Sequence, residues 1–376
     1  MKKNRPYLIP LLFIITLIVT TFAGMEWITA RSVLIEGFNG KLLWDGFLYY
    51  AFPFLAFLTC HEFGHYFMAK FKRVEVTLPY YIPLWIPIML SFGTMGAFIR
   101  IKDQIKNRLH YFDIGIAGPL AGFVVALGFL IYGYANLPDI SYIFQIHPEY
   151  EQFGADYINV AYQGMDTSGV LRVGDSLLSG WIRSTFADPA RVPHPNELTH
   201  YPFILAGFLG LFFTALNLMP IGQLDGGHIL FALIGEKNFN IVSPVLFSIF
   251  VFYAGLGFFT VDELRNALSL QEYETVVNFA LYIYVMYLCF SRVTESKQTN
   301  WIIALSIVLT QLLLNHLFPY LIGYSGFLAF GLLLGRFLGV HHPPVIYSPP
   351  LGLTRIILGW LSLLIFILCF SPNPFN

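Results

Sequence analysis

The sequence predicts an all-α polytopic membrane protein, and three observations carry that prediction. Its 376 residues are 56% hydrophobic and only 11% charged, where a soluble domain carries about 25% charged residues. Apolar runs near the length that crosses a bilayer, about 20 residues, recur from residues 7–24 to residues 353–370. One of them, residues 45–71, holds His61, Glu62 and His65 within a single helical turn. Ionisable groups inside a membrane span are costly, and they mark a functional site by default. A net charge of −1 argues against a nucleic-acid partner. Cys60, Cys289 and Cys369 are odd in number and far apart, so neither a disulfide framework nor a cysteine metal knuckle is implied.

Residues 1–44 read as an N-terminal anchor and an outside loop. Lys2, Lys3 and Arg5 precede the apolar run 7–24, which is long enough to span, although Ala23-Gly24 also suits a cleavable signal peptide. Residues 26–44 then form the outside loop. The next span, 45–71, runs inward and ends at Lys70, Lys72 and Arg73, as the positive-inside rule requires. In a helix His61 and His65 are four residues apart, on one face and about 6 Å from each other, so both rings can bind one metal ion. Glu62 beside them can take a proton from the attacking water, the arrangement of H-E-x-x-H zinc hydrolases. The bland alternative is a helix whose histidines hydrogen-bond to its neighbours. A desaturase-type metal site would need further histidine boxes, and the other histidines are scattered apart from His341-His342.

Residues 74–101 are apolar but cannot form an ordinary spanning helix. Pro79, Pro83 and Pro87 recur every fourth residue, and each removes a backbone bond. Gly93 and Gly96 follow. Non-helical backbone at membrane depth survives only against protein or a wet cavity, so this is expected to be a re-entrant, β-like segment beside the metal. Gly93, Thr94, Gly96 and Ala97 are the candidate residues for receiving an extended substrate as an added strand, the alternative being a loop that plugs the space between helices.

Residues 111–134 form the third span. Gly115, Gly118 and Gly122 permit close helix contact, and Asp113 is expected at an interface rather than in chemistry. Residues 136–200 carry eight acidic side chains against three arginines, which suits an outside loop. His147, His194 and His200 lie there, on the wrong side for the metal, and read as solvent histidines.

Residues 201–234 are apolar but broken at the centre by Pro220, Gly226 and Gly227, which predicts a locally unwound helix. Asp225 sits in the break. Catalytic zinc sites use two histidines, a third protein ligand and an open position, and Asp225 is the natural third. It could instead cap a short helix starting at Gly226, and His228 could bind metal or simply hydrogen-bond. Beyond residue 235, runs at 241–260, 275–290, 301–318, 321–338 and 353–370 add further spans. Alternation from the basic N-terminus places Lys237, Arg292, Lys297, Arg336 and Arg355 inside and only Arg265 outside. His316, His341 and His342 read as interface or loop residues.

His61-Glu62-F-G-His65, with Asn217-x-x-Pro220 and Leu224-Asp225-Gly226-Gly227, resembles the site-2 protease family of intramembrane zinc metalloproteases. The resemblance covers residues 45–235, including the glycines near Gly93 and the Gly118-Pro119 span. It implies a site-2 protease core with a broken metal-binding helix, with His61, His65 and Asp225 as Zn2+ ligands and Glu62 as general base. It also implies Asn217 as a residue that holds the substrate or its oxyanion. The outside loop 136–200 is too short for the PDZ domain of some members, and the additional helices of 236–376 are not explained by these motifs. The partners so implied are the lipid bilayer and a transmembrane protein substrate. The implied activity is hydrolysis of a peptide bond in or near that substrate's membrane span, as in regulated intramembrane proteolysis. The expected location is a cell's inner membrane, with the N-terminus and zinc site toward the cytoplasm. A membrane transporter or metal carrier using the same buried polar cluster is the alternative.

Overall fold

The computed structural model describes residues 7–29, 31–37, 39–87, 91–102, 105–163 and 172–375. Lys2, Lys3 and Arg5 of the basic start and Asp166 of the polar segment lie outside them. Among the described residues, six helices are long and apolar enough to cross a membrane, and this is an integral, predominantly helical membrane protein. The chain forms two compact units. One comprises Met1–Lys106, Asp113–Asn217 and Leu364–Asn376, and the other Asn107–Phe112 and Leu218–Leu363.

In the first unit, α1 (Leu8–Thr29) packs against α2 (Gly40–Phe71) where two glycines meet. A Cβ on Gly24 would lie 2.6 Å from the Gly46 carbonyl oxygen, and one on Gly46 would lie 2.7 Å from that of Thr21, so only glycine permits the crossing. Within α2, Gly46–Ala51 is π-helical just before Pro53. Proline has no N–H to give to the preceding turn, and such a widening is one way to accommodate it.

The outside loop expected at residues 26–44 is shorter than predicted. Helix α1 continues past Gly24 to Thr29, because Glu26 is a buried acceptor for three donors. The Val33 N–H (3.1 Å), Ser32 Oγ (3.3 Å) and Trp85 Nε1 (2.9 Å) all donate to its carboxylate. The sequence alone could not show those partners.

After α2 the chain forms an antiparallel hairpin, β1 (Tyr80–Leu84) and β2 (Gly93–Phe98), with Tyr81 opposite Ala97 and Pro83 opposite Thr94 across a bulge. In a two-stranded sheet both strands are edges, which tolerates Pro83. The hairpin is tied to the helices by polar contacts: Thr59 Oγ1 and Tyr81 Oη are 2.8 Å apart, and Trp27 Nε1 donates to the Ser91 carbonyl (2.9 Å). Gly93, with φ 78°, lies so close to α1 that a Cβ would be 2.3 Å from Thr20 Cα. Next comes α3 (Arg108–Ala135), of which Asp113 onward belongs to this unit, then a polar segment containing α4 (Leu177–Phe186), then α5 (Pro202–Leu218) as far as Asn217. Asp113 on α3 pairs with Lys72 at the end of α2 at 2.6 Å, in line with its expected structural role. The chain's end returns to this unit, where Phe375 packs on Phe92, Phe208 and Phe212.

The second unit is led by α6 (Asp225–Ala254), interrupted at Gly235, whose φ of 79° and ψ of 165° no helix contains. It continues through the amphipathic α7 (Val261–Leu270), then α8 (Tyr273–Phe290), α9 (Lys297–Leu317), α10 (Phe327–Leu338) and α11 (Leu353–Cys369) as far as Leu363. Buried amides hold these helices together, as expected where apolar surface alone cannot drive helix association. Gln311 Nε2 donates to the Phe252 carbonyl (2.8 Å) while its Oε1 accepts from Tyr282 Oη (2.7 Å), joining α6, α8 and α9.

Candidate metal centre

His61, Glu62 and His65 are all buried on α2, at 2%, 5% and 7% exposure. The two imidazoles converge, with Nε2 of His61 and Nε2 of His65 3.1 Å apart. The tautomer of His65 is fixed from outside. Its Nδ1 lies 2.7 Å from the Ile114 carbonyl oxygen on α3, which can only accept, so Nδ1 carries the hydrogen and Nε2 presents a lone pair. Two nitrogens on one tetrahedral zinc, each about 2.0–2.1 Å from it, stand about 3.3 Å apart. The observed pair therefore fits a shared zinc ion.

The glycines of α3 explain how the rings are held. A Cβ on Gly118 would fall 2.1 Å from His65 Nε2, and one on Gly122 would fall 3.2 Å from His61 Cβ and 2.9 Å from Phe57 Cε2. The small-residue face that the sequence shows on this span is packed directly on the histidine side chains. Gly64 on α2 reciprocates, since its Cβ would meet the Ala117 carbonyl at 2.5 Å. The positioning roles of Ile114 and Gly118 are ones that sequence reasoning missed. The spacing of Gly118 and Gly122 signals close packing but does not say onto what.

Asp225 belongs to the second unit, as the first residue of α6. Leu224, with extended backbone, occupies the cap position, so Asp225 is not the capping residue. The turn before it is compact enough to demand the paired glycines: a Cβ on Gly226 would meet the Leu218 carbonyl at 1.9 Å, and one on Gly227 the Gly222 carbonyl at 2.4 Å. That turn is anchored by buried Ser243, whose Oγ accepts from the Gly222 N–H (2.8 Å) and donates to the Val340 carbonyl (2.6 Å). His228 faces His342 instead, with Nδ1 2.9 Å from His342 Nε2. His342 Nδ1 lies 2.6 Å from the Pro343 carbonyl, so it carries hydrogen, and His342 Nε2 accepts from His228. His342 is thus buried in a hydrogen-bonded pair rather than set in an open loop.

Asn217 sits half-buried in the last turn of α5. Gly93, Thr94, Gly96 and Ala97 all lie on β2. Their surroundings differ: Gly93 is pressed on α1, Thr94 is 4% exposed with its hydroxyl donating to the Ile82 carbonyl (2.8 Å), and nothing lies within 4 Å of the Cβ position of Gly96. The expectation of solvent histidines in the polar segment fails for His200, which is 3% exposed and lies 3.3 Å from His147 through their Nε2 atoms.

Residues 49–261 match the sequence profile of peptidase family M50. The chain belongs to this family. It is similar to the probable zinc metalloprotease EGY2, chloroplastic, of Oryza sativa subsp. indica, at 29% identity over 55% of this chain and 33% of the relative. It is also similar to the probable zinc metalloprotease EGY1, chloroplastic, of Arabidopsis thaliana, at 30% identity over 49% of this chain and 29% of the relative. The chain thus spans about a third of the length of these curated relatives. No solved structure matches it.

Proposed function

We propose that this chain is an intramembrane zinc metalloprotease that hydrolyses a peptide bond in or near a transmembrane segment of a membrane-protein substrate. The observation that carries the reading is the buried pair of imidazole Nε2 atoms 3.1 Å apart with Glu62 next to them, in a chain of family M50. His61, His65 and Asp225 would hold Zn2+ and leave one position open. When bound, the metal supplies Lewis acidity, polarising the scissile carbonyl and making water a stronger acid. Glu62 takes the proton from the attacking water and returns it to the leaving amine. Asn217 donates a hydrogen bond to the developing oxyanion.

A helical substrate hides its peptide bonds and must unwind to be cut. An extended peptide in a low-dielectric site needs backbone partners, and each unpaired group there costs several kcal/mol. β2 around Gly93, Thr94, Gly96 and Ala97 supplies them by strand addition, with Gly96, where a Cβ would meet nothing within 4 Å, the position that leaves more room than Gly93 for a second backbone. On this reading the hairpin serves as the re-entrant element of a site-2 protease core of residues 45–235 with a broken metal-binding helix, and residues 236–376 add further transmembrane helices. The distribution of lysine and arginine supports an N-terminus and zinc site toward the cytoplasm; a cell's inner membrane and a role in regulated intramembrane proteolysis complete the reading by resemblance to site-2 proteases.

The test is cleavage of a model transmembrane substrate by the purified, zinc-loaded protein in detergent. Cleavage inside or beside the span that is abolished by chelator and restored by zinc supports the reading. Zinc transport without cleavage would replace it with the carrier alternative.

A further inference from the structure

His147, Glu197 and His200 are not used by the chemistry at His61 and His65, yet they are built like a metal site. Glu197 and His200 lie three residues apart on the 3-10 helix Pro195–His200, and at three residues per turn they project from the same side. Both are buried, at 1% and 3% exposure, and His147 comes to meet them from just before the 3-10 helix Pro148–Asp156. Three ligand atoms converge: His147 Nε2 and His200 Nε2 are 3.3 Å apart, and Glu197 Oε2 is 3.5 Å and 3.4 Å from them. That is a nearly regular triangle. Its corners lie about 2.0 Å from its centre, the distance at which zinc holds nitrogen and carboxylate ligands.

The surrounding contacts orient every ligand toward that centre. His200 Nδ1 lies 2.7 Å from the Ile28 carbonyl, which can only accept, so its hydrogen is on Nδ1 and Nε2 bears the lone pair. His147 Nδ1 lies 3.1 Å from the Glu149 carboxylate, which fixes the same tautomer. Tyr162 donates its hydroxyl to Glu197 Oε1, leaving Oε2 to face the rings. Metal-bound histidines typically donate their second N–H to a carboxylate or a backbone carbonyl, and both kinds of partner are present here. Two imidazole lone pairs and a carboxylate oxygen facing one another repel unless a metal ion or a shared proton sits between them.

We propose that His147, Glu197 and His200 form a second metal site, for a divalent transition-metal ion of the zinc class with one open position. By its ligands it joins residue 147 to the 195–200 turn that leads into α5, and through the Ile28 carbonyl it bears on the end of α1. The site clasps the polar segment to the helices of its own unit. The inference does not rest on the reading of His61 and His65.

The experiment is zinc titration of the full-length, chelator-stripped protein in detergent, with bound metal counted by mass spectrometry. The His61→Ala/His65→Ala variant removes the first centre and should still bind one zinc per chain. Adding His147→Ala, or Glu197→Gln, which keeps shape and the Tyr162 contact, should weaken that zinc by more than about a hundredfold. Glu149→Gln, outside the buried cluster, should weaken it by about tenfold, so the inference stays testable if the first two variants fold poorly. Cobalt(II) in the same place should give a visible absorption band that His147→Ala abolishes. If His61→Ala/His65→Ala binds no zinc, or folded His147→Ala and Glu197→Gln bind it as tightly as their parent, the cluster is a proton-bridged hydrogen-bond network and the proposal is wrong.

Discussion

Gly118→Ala isolates the packing of α3 on His65. The new methyl group would lie 2.1 Å from His65 Nε2, 2.4 Å from Cδ2 and 2.5 Å from Cε1, where real contacts of this kind do not fall below 3.0 Å. The ring must therefore retreat by at least about 0.9 Å, while metal–ligand distances tolerate about 0.2 Å. It cannot simply turn, because its Nδ1 is held at 2.7 Å by the Ile114 carbonyl one turn earlier on the same helix. Alanine in place of glycine favours an isolated helix by about 1 kcal/mol, but overpacking a close contact costs about 1–3 kcal/mol. The net effect is mild destabilisation with a displaced ligand. A misplacement of about 1 Å lowers a rate about a hundredfold. Cleavage should fall by at least that factor, and zinc affinity should fall with it. Gly122→Ala, whose nearest contacts are 2.9 Å to Phe57 Cε2 and 3.2 Å to His61 Cβ, should do less. Gly128→Ala, with nothing within 4 Å, should be neutral. The assays are zinc competition with a chromogenic chelator and initial cleavage rate on the same preparations. If folded Gly118→Ala binds zinc and cleaves within threefold of wild type, the packing of α3 does not set the position of His65.

Three further outcomes follow from the same geometry. His61→Ala, His65→Ala and Asp225→Ala should each release zinc at chelator concentrations that the parent withstands, whereas His228→Ala should keep it, because His228 is engaged with His342; tight, stoichiometric zinc in Asp225→Ala would transfer the third ligand elsewhere. Proline at Met95 should reduce cleavage of a transmembrane substrate while zinc content holds, since it removes a β2 N–H that an added strand would use; unchanged cleavage across Thr94 to Ile99 would make the hairpin a plug. Asp113→Asn leaves the Lys72 ammonium half-paired near the end of α2 and should lower thermal stability measurably, by up to about 3 kcal/mol for a mostly buried pair; an unchanged melting temperature would make the contact incidental.

Local chemistry was legible in the sequence, and long-range partners were not. The i, i+4 histidines read correctly as convergent because helix geometry alone brings their rings together. The recurring prolines of residues 79–87 excluded helix, and strands stand there. The burial of Glu26 is not legible in the sequence because its donors include Trp85, a residue 59 positions away. His200 reads as a solvent histidine for the same reason: its burial depends on Ile28, 172 positions earlier, and on His147. The glycines of α3 signalled close approach, but no spacing rule names the side chain approached. Composition placed the helices in a membrane without saying that Phe375, one residue from the chain's end, packs beside α5.

The central claim is that Glu62 moves the proton in a zinc-dependent peptide hydrolysis. Glu62→Gln changes one oxygen to an amide nitrogen and leaves His61, His65 and Asp225 in place. Zinc content by mass spectrometry and cleavage of a transmembrane substrate, measured on one detergent preparation of this variant and its parent, separate binding from chemistry. The account predicts wild-type zinc content with cleavage reduced by at least about a thousandfold, within the range for loss of an acid–base group. Cleavage at the parental rate by the zinc-loaded Glu62→Gln protein would contradict it.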